Sequence, residues 1–227
     1  MCSVSIVPRR GGFCVTCNRD EQRTRPHAHP PSRHRAGRRA AVWPVDPVSG
    51  GTWIGANDAG LAMMMLNRTP RRRAATPAFP ISRGTIIPRL LAAGTISAAL
   101  HTFLRDVCSF QPFTLVMIQG DLIAVVWWNG KRSTVRRLPL ERPRLFTSSS
   151  LGDAVVTAPR RALFSQLVLH GASPLCGQAA FHRHQWIDRP ETSVLMSRPD
   201  AATVSRTVLD VSTRAIRMRY HSVSHQP

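Results

Sequence analysis

Two neighbouring runs in the middle of the chain are apolar at every position, and they constrain the fold more than any other feature. Residues 115–118 and 123–126 are separated by the turn signal Gly120-Asp121. A strand places alternate side chains on opposite faces, so a strand that is apolar throughout is buried on both. The pattern predicts strands at 113–119 and 122–128. An exposed strand at 131–138 follows the hairpin turn Asn129-Gly130.

The remaining elements are predicted from periodicity and from proline and glycine signals. We expect strands at 52–55, 61–66, 144–150, 192–197, 201–210 and 215–221, and helices at 85–93, 95–107 and 159–170. Ile96, Leu100, Phe103 and Leu104 form the apolar face of the second helix. Proline-rich residues 22–49 and 69–80 are expected to be loops, and residues 172–190, with His182 and His184, to be an irregular periphery.

The amino-terminal stretch carries the clearest chemical signal. Cys2 follows Met1, and apolar runs at 4–7 and 13–17 flank a turn at 8–12. These runs predict a hairpin that brings its second strand back to Cys2. Asn18-Arg19-Asp20-Glu21 comes next, so Arg19 and Asp20 are expected just past the open end of the hairpin.

A cysteine at position two favours removal of the initiator methionine. The chain then begins with a thiol and an α-amine on one residue. Because the pKa of an α-amine is ~7.7–8.0, part of it is neutral and can accept the thiol proton. A nearby cation such as Arg19 lowers the thiol pKa, and Asp20 can pair with the ammonium. The alternative is that Asn18-Arg19-Asp20-Glu21 forms a hydrogen-bonded turn that only shapes the fold.

The same residues carry a family resemblance. Asn18-Arg19-Asp20-Glu21, together with Gly50-Gly51-Thr52-Trp53-Ile54-Gly55, Leu66-Asn67-Arg68, Ser82-Arg83-Gly84 and residues 202–207, resembles the NRDE-motif family, also called the transport and Golgi organisation protein 2 family. The likeness covers nearly the whole chain. It implies an α+β fold, a four-layer α-β-β-α sandwich of the N-terminal-nucleophile hydrolase type with mainly antiparallel sheets. We expect a single domain at 1–221 and a disordered tail at 222–227.

The resemblance extends to the cysteine branch of the N-terminal-nucleophile hydrolases, and it implies site residues. Cys2 would be the nucleophile, Arg19 and Asp20 its supporting pair, and Asn67 an oxyanion donor. That branch often carries a second oxyanion asparagine in the region of residues 147–150, and this chain has serine there. Thr203 and Ser205 are expected to share a strand face, and either to line the site or to pair across strands. Substrate-binding roles are predicted for Asn18, Arg68, Arg83 and Ser148.

The charge of the chain does not identify a partner. Its 227 residues include 31 basic and 12 acidic side chains, for a net charge of +19. The arginines are scattered along the sequence, and aromatic residues are not interleaved with them, as single-strand binding requires. The sequence therefore predicts no specific binding of nucleic acid.

Cysteine usage and hydropathy indicate a compartment. No run of eighteen apolar residues and no signal peptide is recognisable, so we expect a cytoplasmic protein without a transmembrane segment, its five cysteines reduced. Cys14 and Cys17 would point to opposite faces of a strand, which opposes chelation. No metal site is predicted.

Two functions follow from the resemblance, and the sequence leaves enzyme or non-enzyme open. The first is a hydrolase or acyltransferase that attacks an amide-type acyl bond of a small molecule through Cys2. The alternative is a non-catalytic haem or lipid carrier, in which a thiolate or imidazole would ligate haem iron. Neither requires a cofactor for catalysis, and the oligomeric state is undefined.

Overall fold

The computed structural model describes residues 2–68, 81–103 and 107–224. Its strands are β1 (Cys2–Arg9), β2 (Gly12–Gln22), β3 (His29–Ala36), β4 (Arg39–Val45), β5 (Ile54–Asn57), β6 (Ala62–Asn67), β7 (Phe113–Gln119), β8 (Leu122–Trp128), β9 (Ser133–Pro139), β10 (Arg144–Thr147), β11 (Ala201–Ser212) and β12 (Ile216–Ser222). Its helices are α1 (Ile86–Leu90), α2 (Ile96–Phe103), α3 (Asp153–Phe164) and α4 (Pro174–Phe181). All strand pairs are antiparallel among the described residues.

The chain divides into two compact units. One comprises residues 1–25 and 141–227, and the other residues 26–140. The first unit holds a five-stranded sheet in the order β10-β1-β2-β11-β12, and the second a seven-stranded sheet in the order β3 to β9. The first sheet therefore joins strands from both ends of the sequence.

The predicted amino-terminal hairpin is present, but its strands are longer than expected. β1 begins at Cys2, and β2 continues to Gln22 because β11 pairs along its whole length. Asn18-Arg19-Asp20-Glu21 thus lies within a central strand and not past the end of the hairpin. Cys2 pairs directly with Arg19. The turn uses Gly11 at a φ of 73°, a conformation that glycine adopts without strain.

Helices α3 and α4 pack on one face of the first sheet. Their apolar contact is built on Phe164 and Phe181, whose rings meet edge to face with centroids 5.4 Å apart, together with Val7.

Since opposite residues of antiparallel strands share a face, Ser3 and Asn18 lie on this helix-covered face. The other face carries Cys2, Val4, Cys17 and Arg19, and we call it the thiol face.

The helical predictions for the first unit need correction. The helix expected at 159–170 starts at Asp153 and ends in a wider π-helical turn over Ser165–Leu169. Residues 172–190, expected to be irregular, contain α4. It has a side-chain cap from Ser173 and Pro174 in its first turn, two local signals that favour a helix start.

The late strands also differ from prediction. β11 and β12 are present, whereas residues 192–197 form no strand and contribute one bridge, Ser197 to Ala202. A bulge in β11 places Thr203 opposite Asp20 and Ser205 opposite Arg19. Because Asp20 and Arg19 are adjacent in β2, Thr203 and Ser205 lie on opposite faces, so the expected shared face is wrong.

In the second unit the central strands match prediction. β7 and β8 have the expected bounds and are almost wholly buried, and the Asn129 side chain accepts hydrogen bonds from the backbone N–H groups of Lys131 and Arg132 at 2.8 Å. Helix α1 is shorter than expected, and the described part of α2 ends at Phe103. Leu104 and the predicted loop at 69–80 lie outside the described residues.

Residues 22–49, predicted as a loop, contain β3 and β4. Proline is tolerated here because β3 is an edge strand and its pairing with β4 shifts between His29 and Ser32, where Pro30 and Pro31 lie. Stacking of His34 on Trp43, with ring centroids 4.0 Å apart, adds to the pairing.

Two further sequence expectations concern the whole chain. In the part of the chain that the structure describes, every helix is too short or too polar to cross a lipid bilayer. Of the predicted tail, Ser222 is the last residue of β12, and residues 225–227 lie outside the described residues.

Candidate active site

Cys2 is held at the end of β1 by pairing on both sides. It lies opposite Arg19 of β2 and beside Ser148, which follows β10. The backbone N–H of Cys2 donates to Ser148 Oγ at 3.4 Å, and the backbone N–H of Ser148 donates to the Cys2 carbonyl at 3.1 Å. Cys2 is only 5% exposed. Pairing with Arg19 and two hydrogen bonds to Ser148 thus fix the backbone of Cys2, whose nitrogen and thiol are the predicted base and nucleophile.

The surroundings of Cys2 lower the pKa of its thiol. A hydrogen bond with Cys17 lowers the pKa of Cys2, and the Arg19 charge lowers it further, against the opposing effects of burial and of the Asp20 carboxylate. The same hydrogen bond, together with burial, raises the pKa of Cys17. Burial raises the pKa of Cys14 to about 12. Of these three buried thiols, Cys2 is the one whose pKa is lowered, and a lowered pKa favours the reactive thiolate.

Asp20 is buried on the helix-covered face. Its Oδ1 accepts a hydrogen bond of 2.6 Å from Thr203 Oγ1. Burial raises the pKa of the Asp20 carboxyl, whereas the charge of Arg160 and the Thr203 hydrogen bond lower it. Arg160 and Thr203 therefore favour the carboxylate form of Asp20, against the larger effect of burial.

Arg19 lies on the thiol face and is only 5% exposed. Its NH2 group is 3.2 Å from Oε2 of Glu21, which also lies 3.7 Å from Nε of Arg25. Within Asn18-Arg19-Asp20-Glu21, the last three residues thus carry buried or paired charges near the start of β1.

Arg160 of α3 is a buried cation that the sequence analysis missed. It is 1% exposed, and its guanidinium donates to Ser3 Oγ at 3.1 Å and to Thr147 Oγ1 at 2.7 Å. It also donates to the carbonyls of Thr192 and Ser193, at 3.0 and 2.6 Å. Ser3 and Thr147 are the chain neighbours of Cys2 and Ser148. Arg160 therefore ties β1 to β10 at the point where Cys2 contacts Ser148.

Asn18 belongs to a buried network. Its Nδ2 group donates to the carbonyls of His182 and Val194, both at 3.0 Å, so its Oδ1 faces His182 Nδ1 at 2.9 Å. Nδ1 must then carry the proton, and Nε2 accepts from Ser5 Oγ at 2.7 Å. Gln178 in turn donates to Ser5 Oγ at 2.9 Å.

This network leaves Asn18 no amide proton for a substrate, because both are donated within the protein. His182, expected to lie in a peripheral loop, is fully buried instead. Burial, followed by the charges of Arg206 and Arg160, lowers its pKa to about 3, so the imidazole is neutral. Sequence reasoning had no signal for these contacts, since Asn18 and His182 are 164 positions apart.

The other predicted site residues lie in the second unit. Asn67 is the last residue of β6, as expected, and Arg68 follows it. The backbone N–H of Arg68 and the NH1 group of Arg83 both donate to the Pro112 carbonyl, at 3.2 and 2.8 Å. Arg83 and Arg68, which follows Asn67 at the end of β6, are thus linked through the Pro112 carbonyl.

Comparison with solved structures defines the class of fold. The chain is similar to penicillin V acylase from Agrobacterium tumefaciens (11% identity, 98% of this chain and 86% of that one, TM-score 0.52). It is also similar to a Caenorhabditis elegans N-acylethanolamine-hydrolyzing acid amidase ortholog (12%, 91% and 92%, TM-score 0.57). A third match is a mutant conjugated bile acid hydrolase from Clostridium perfringens (10%, 100% and 97%, TM-score 0.52). These likenesses confirm the predicted α+β fold of the N-terminal-nucleophile hydrolase type.

Comparison of sequences identifies the family. The family model for Transport and Golgi organisation 2 matches residues 1–157. The chain therefore belongs to the Transport and Golgi organisation 2 family, and the resemblance inferred from its motifs is confirmed. No curated protein matches the sequence.

Proposed function

We propose that this protein is a cysteine N-terminal-nucleophile hydrolase or acyltransferase that acts on an amide-type acyl bond of a small molecule. The observation that carries the proposal is the placement of Cys2, a thiol of lowered pKa at the first position of β1, between Arg19 and Ser148. The structural neighbours named as an acylase, an acid amidase and a bile acid hydrolase support the same class of reaction.

The proposed reaction begins after removal of Met1, when the nitrogen of Cys2 becomes an α-amine. The neutral amine takes the thiol proton, and the thiolate attacks the carbonyl carbon of the substrate. As the C–N bond of the tetrahedral adduct breaks, the leaving amine takes a proton from the ammonium and the acyl group stays on sulfur as a thioester. Water releases it as an acid, or a second nucleophile accepts it.

The supporting residues have roles in this scheme. Ser148 Oγ, already hydrogen-bonded to the Cys2 nitrogen, orients the amine, and the Asp20 carboxylate stabilises the ammonium. Arg19 favours the thiolate. The role of Asn67 rests on the family resemblance, and Asn67→Ala is expected to slow acylation by a factor of about 100 or more if Asn67 donates to the oxyanion.

Intact-mass analysis tests the proposal directly. Purified protein is measured before and after brief exposure to a β-lactone, which adds its whole mass when a thiolate opens the ring. We expect loss of Met1 and one adduct on Cys2. The exposed Cys108 and Cys176 serve as internal controls for non-specific reaction.

Two variants sharpen the result. Cys2→Ala should lose the adduct, whereas Cys176→Ala should retain it. A chain with one residue kept ahead of Cys2 should also lose it, since no α-amine then adjoins the thiol. Labelling confined to Cys108 and Cys176 would contradict the proposal. Haem carriage would then be tested by haem titration, with a Soret shift that a ligand variant abolishes.

A further inference from the structure

Two hydroxyl groups on the thiol face are buried without a hydrogen-bond partner among the described residues. They belong to Ser205 and Thr207 of β11, both fully buried. Folded proteins pair nearly all of their buried polar groups, so two such hydroxyls on one strand call for an explanation.

The hydroxyls on the helix-covered face behave differently. Thr203 donates to Asp20, Ser3 and Thr147 accept from Arg160, and Ser5 accepts from Gln178. The protein thus satisfies these four hydroxyls with its own groups. The two hydroxyls it leaves unpaired lie on the face that carries Cys2.

The strand register places both hydroxyls near Cys2. Ser205 lies opposite Arg19, which lies opposite Cys2, so these residues form one row across three strands. Thr207 lies opposite Cys17, which precedes Arg19 by two residues in β2 and is on the same face. Neighbouring strands are about 4.8 Å apart, which puts the backbones of Cys2 and Ser205 roughly 10 Å from each other. An acyl group of several atoms bound to Cys2 spans that distance.

The row also approaches solvent. Glu21 lies two residues beyond Arg19 on the same side of β2 and pairs with it, and its side chain is 25% exposed against 6% for Arg19. Side chains on this side of β2 thus become more exposed from Arg19 towards Glu21.

We propose that Ser205 and Thr207 bind the acyl portion of the substrate of Cys2, and that this portion carries a hydrogen-bonding amide or hydroxyl group. The inference rests on the proposed function. A plain hydrocarbon acyl group would leave both hydroxyls buried and unpaired, whereas a polar acyl group satisfies them. The two hydroxyls therefore select for polar acyl groups and against alkyl ones.

A matched pair of lactones tests this inference. One is N-acetylserine β-lactone, which carries an amide, and the other is an alkyl β-lactone of equal length without the amide. The thiolate of Cys2 opens either ring at its carbonyl, forming a thioester and releasing the ring oxygen as an alcohol. The rate of Cys2 labelling is measured by mass spectrometry for each lactone. The ratio of the two rates reports the selectivity.

We expect the wild type to prefer the amide-bearing lactone. Ser205→Ala and Thr207→Val should each reduce that preference by about 3- to 10-fold, the worth of one hydrogen bond, because labelling by the amide-bearing lactone slows. Ser222→Ala is the control, since Ser222 faces Ser205 from β12 and is exposed. Its preference should equal that of the wild type.

The outcomes separate this inference from the proposed function. Labelling of Cys2 without a preference, or a preference that both variants retain, would overturn the role of the hydroxyls while leaving the nucleophile established. Equal loss of both rates in the variants would show a structural effect and would also overturn it. Absence of label on Cys2 with either lactone would refute the nucleophile and this inference together.

Discussion

Cys17 is the neighbour that most strongly lowers the pKa of Cys2, through a hydrogen bond between the two thiols. Cys17→Ala removes this donor, so the pH midpoint of Cys2 alkylation should rise. Cys17→Ser keeps a donor and should stay close to the wild type. The measurement is the rate of iodoacetamide addition to Cys2 across a pH series. An unchanged midpoint in Cys17→Ala would contradict the assignment.

Ser148 provides a second test of the proposed mechanism. Ser148→Ala removes the oxygen that accepts from the Cys2 nitrogen, and we expect acylation to slow by about 3- to 10-fold. Ser148→Asn restores an oxygen acceptor and should recover most of the rate. The measurement is the rate at which a lactone labels Cys2 in the two variants, with Met1 removal checked by mass. Equal rates in wild type and Ser148→Ala would remove Ser148 from the mechanism.

The site residues predicted from sequence are those whose chemistry is visible in one short stretch. Cys2, Arg19 and Asp20 all lie within the first two strands, so a local motif sufficed. Arg160 and His182 were missed because their roles arise from contacts with residues more than 150 positions away. Neither periodicity nor composition records such contacts.

At the scale of elements, α3 stabilises the first sheet through Arg160. Arg160→Met would leave the hydroxyls of Ser3 and Thr147 and the carbonyls of Thr192 and Ser193 without their donor. We expect the free energy of unfolding to fall by about 3 kcal/mol in urea titrations. Arg160→Lys keeps the charge but cannot reach all four acceptors, so it should recover only part of the loss.

If Arg160→Met unfolded at the same urea concentration as the wild type, the hydrogen bonds of Arg160 would make no net contribution to the free energy of unfolding. Lactone labelling of the same variant is informative, because Arg160 holds the neighbours of Cys2 and Ser148 together. Slower labelling of a folded variant would identify Arg160 as a positioning residue.

The contact of α4 with β1 and β2 makes stability depend on pH. Burial lowers the pKa of His182 to about 3, whereas the unfolded chain takes up a proton near pH 6.5. The contribution of His182 is therefore complete above about pH 6.5 and is lost as the pH falls towards 3, at about 1.4 kcal/mol per pH unit.

Urea titrations at about pH 7 and about pH 5 check this prediction, with an expected loss near 2 kcal/mol from His182. His182→Gln should be less stable than the wild type at the higher pH and should lose less between the two. Parallel losses in both proteins would contradict a neutral, buried His182.

Strand predictions succeeded where apolar pattern and turn chemistry agreed. β7 and β8 have both, and their bounds were predicted correctly. β3 and β4 were missed because their prolines are typical of loops. Only the position of β3 at an edge and the shifted pairing beside it, both tertiary facts, make those prolines compatible with strands.

For the whole molecule, the net charge of +19 predicts non-specific attraction to polyanions. Two DNA duplexes of unrelated sequence should bind equally and weakly, and binding should fall steeply between low and moderate salt. Fluorescence anisotropy at two salt concentrations measures this. A preference for one duplex that persists in salt would contradict the expectation that nucleic acid is not a specific partner.

The first sheet also sets an order of events during synthesis. β2 lies between β1 and β11, and Asp20 bonds to Thr203, 183 positions later in the chain. The ribosome therefore makes nearly all of the chain before β11 can close over β2. In the folded chain Cys2 is only 5% exposed. Under the proposed function, the nucleophile is made while the chain is still nascent, and a chain that folds with Met1 in place is excluded from catalysis.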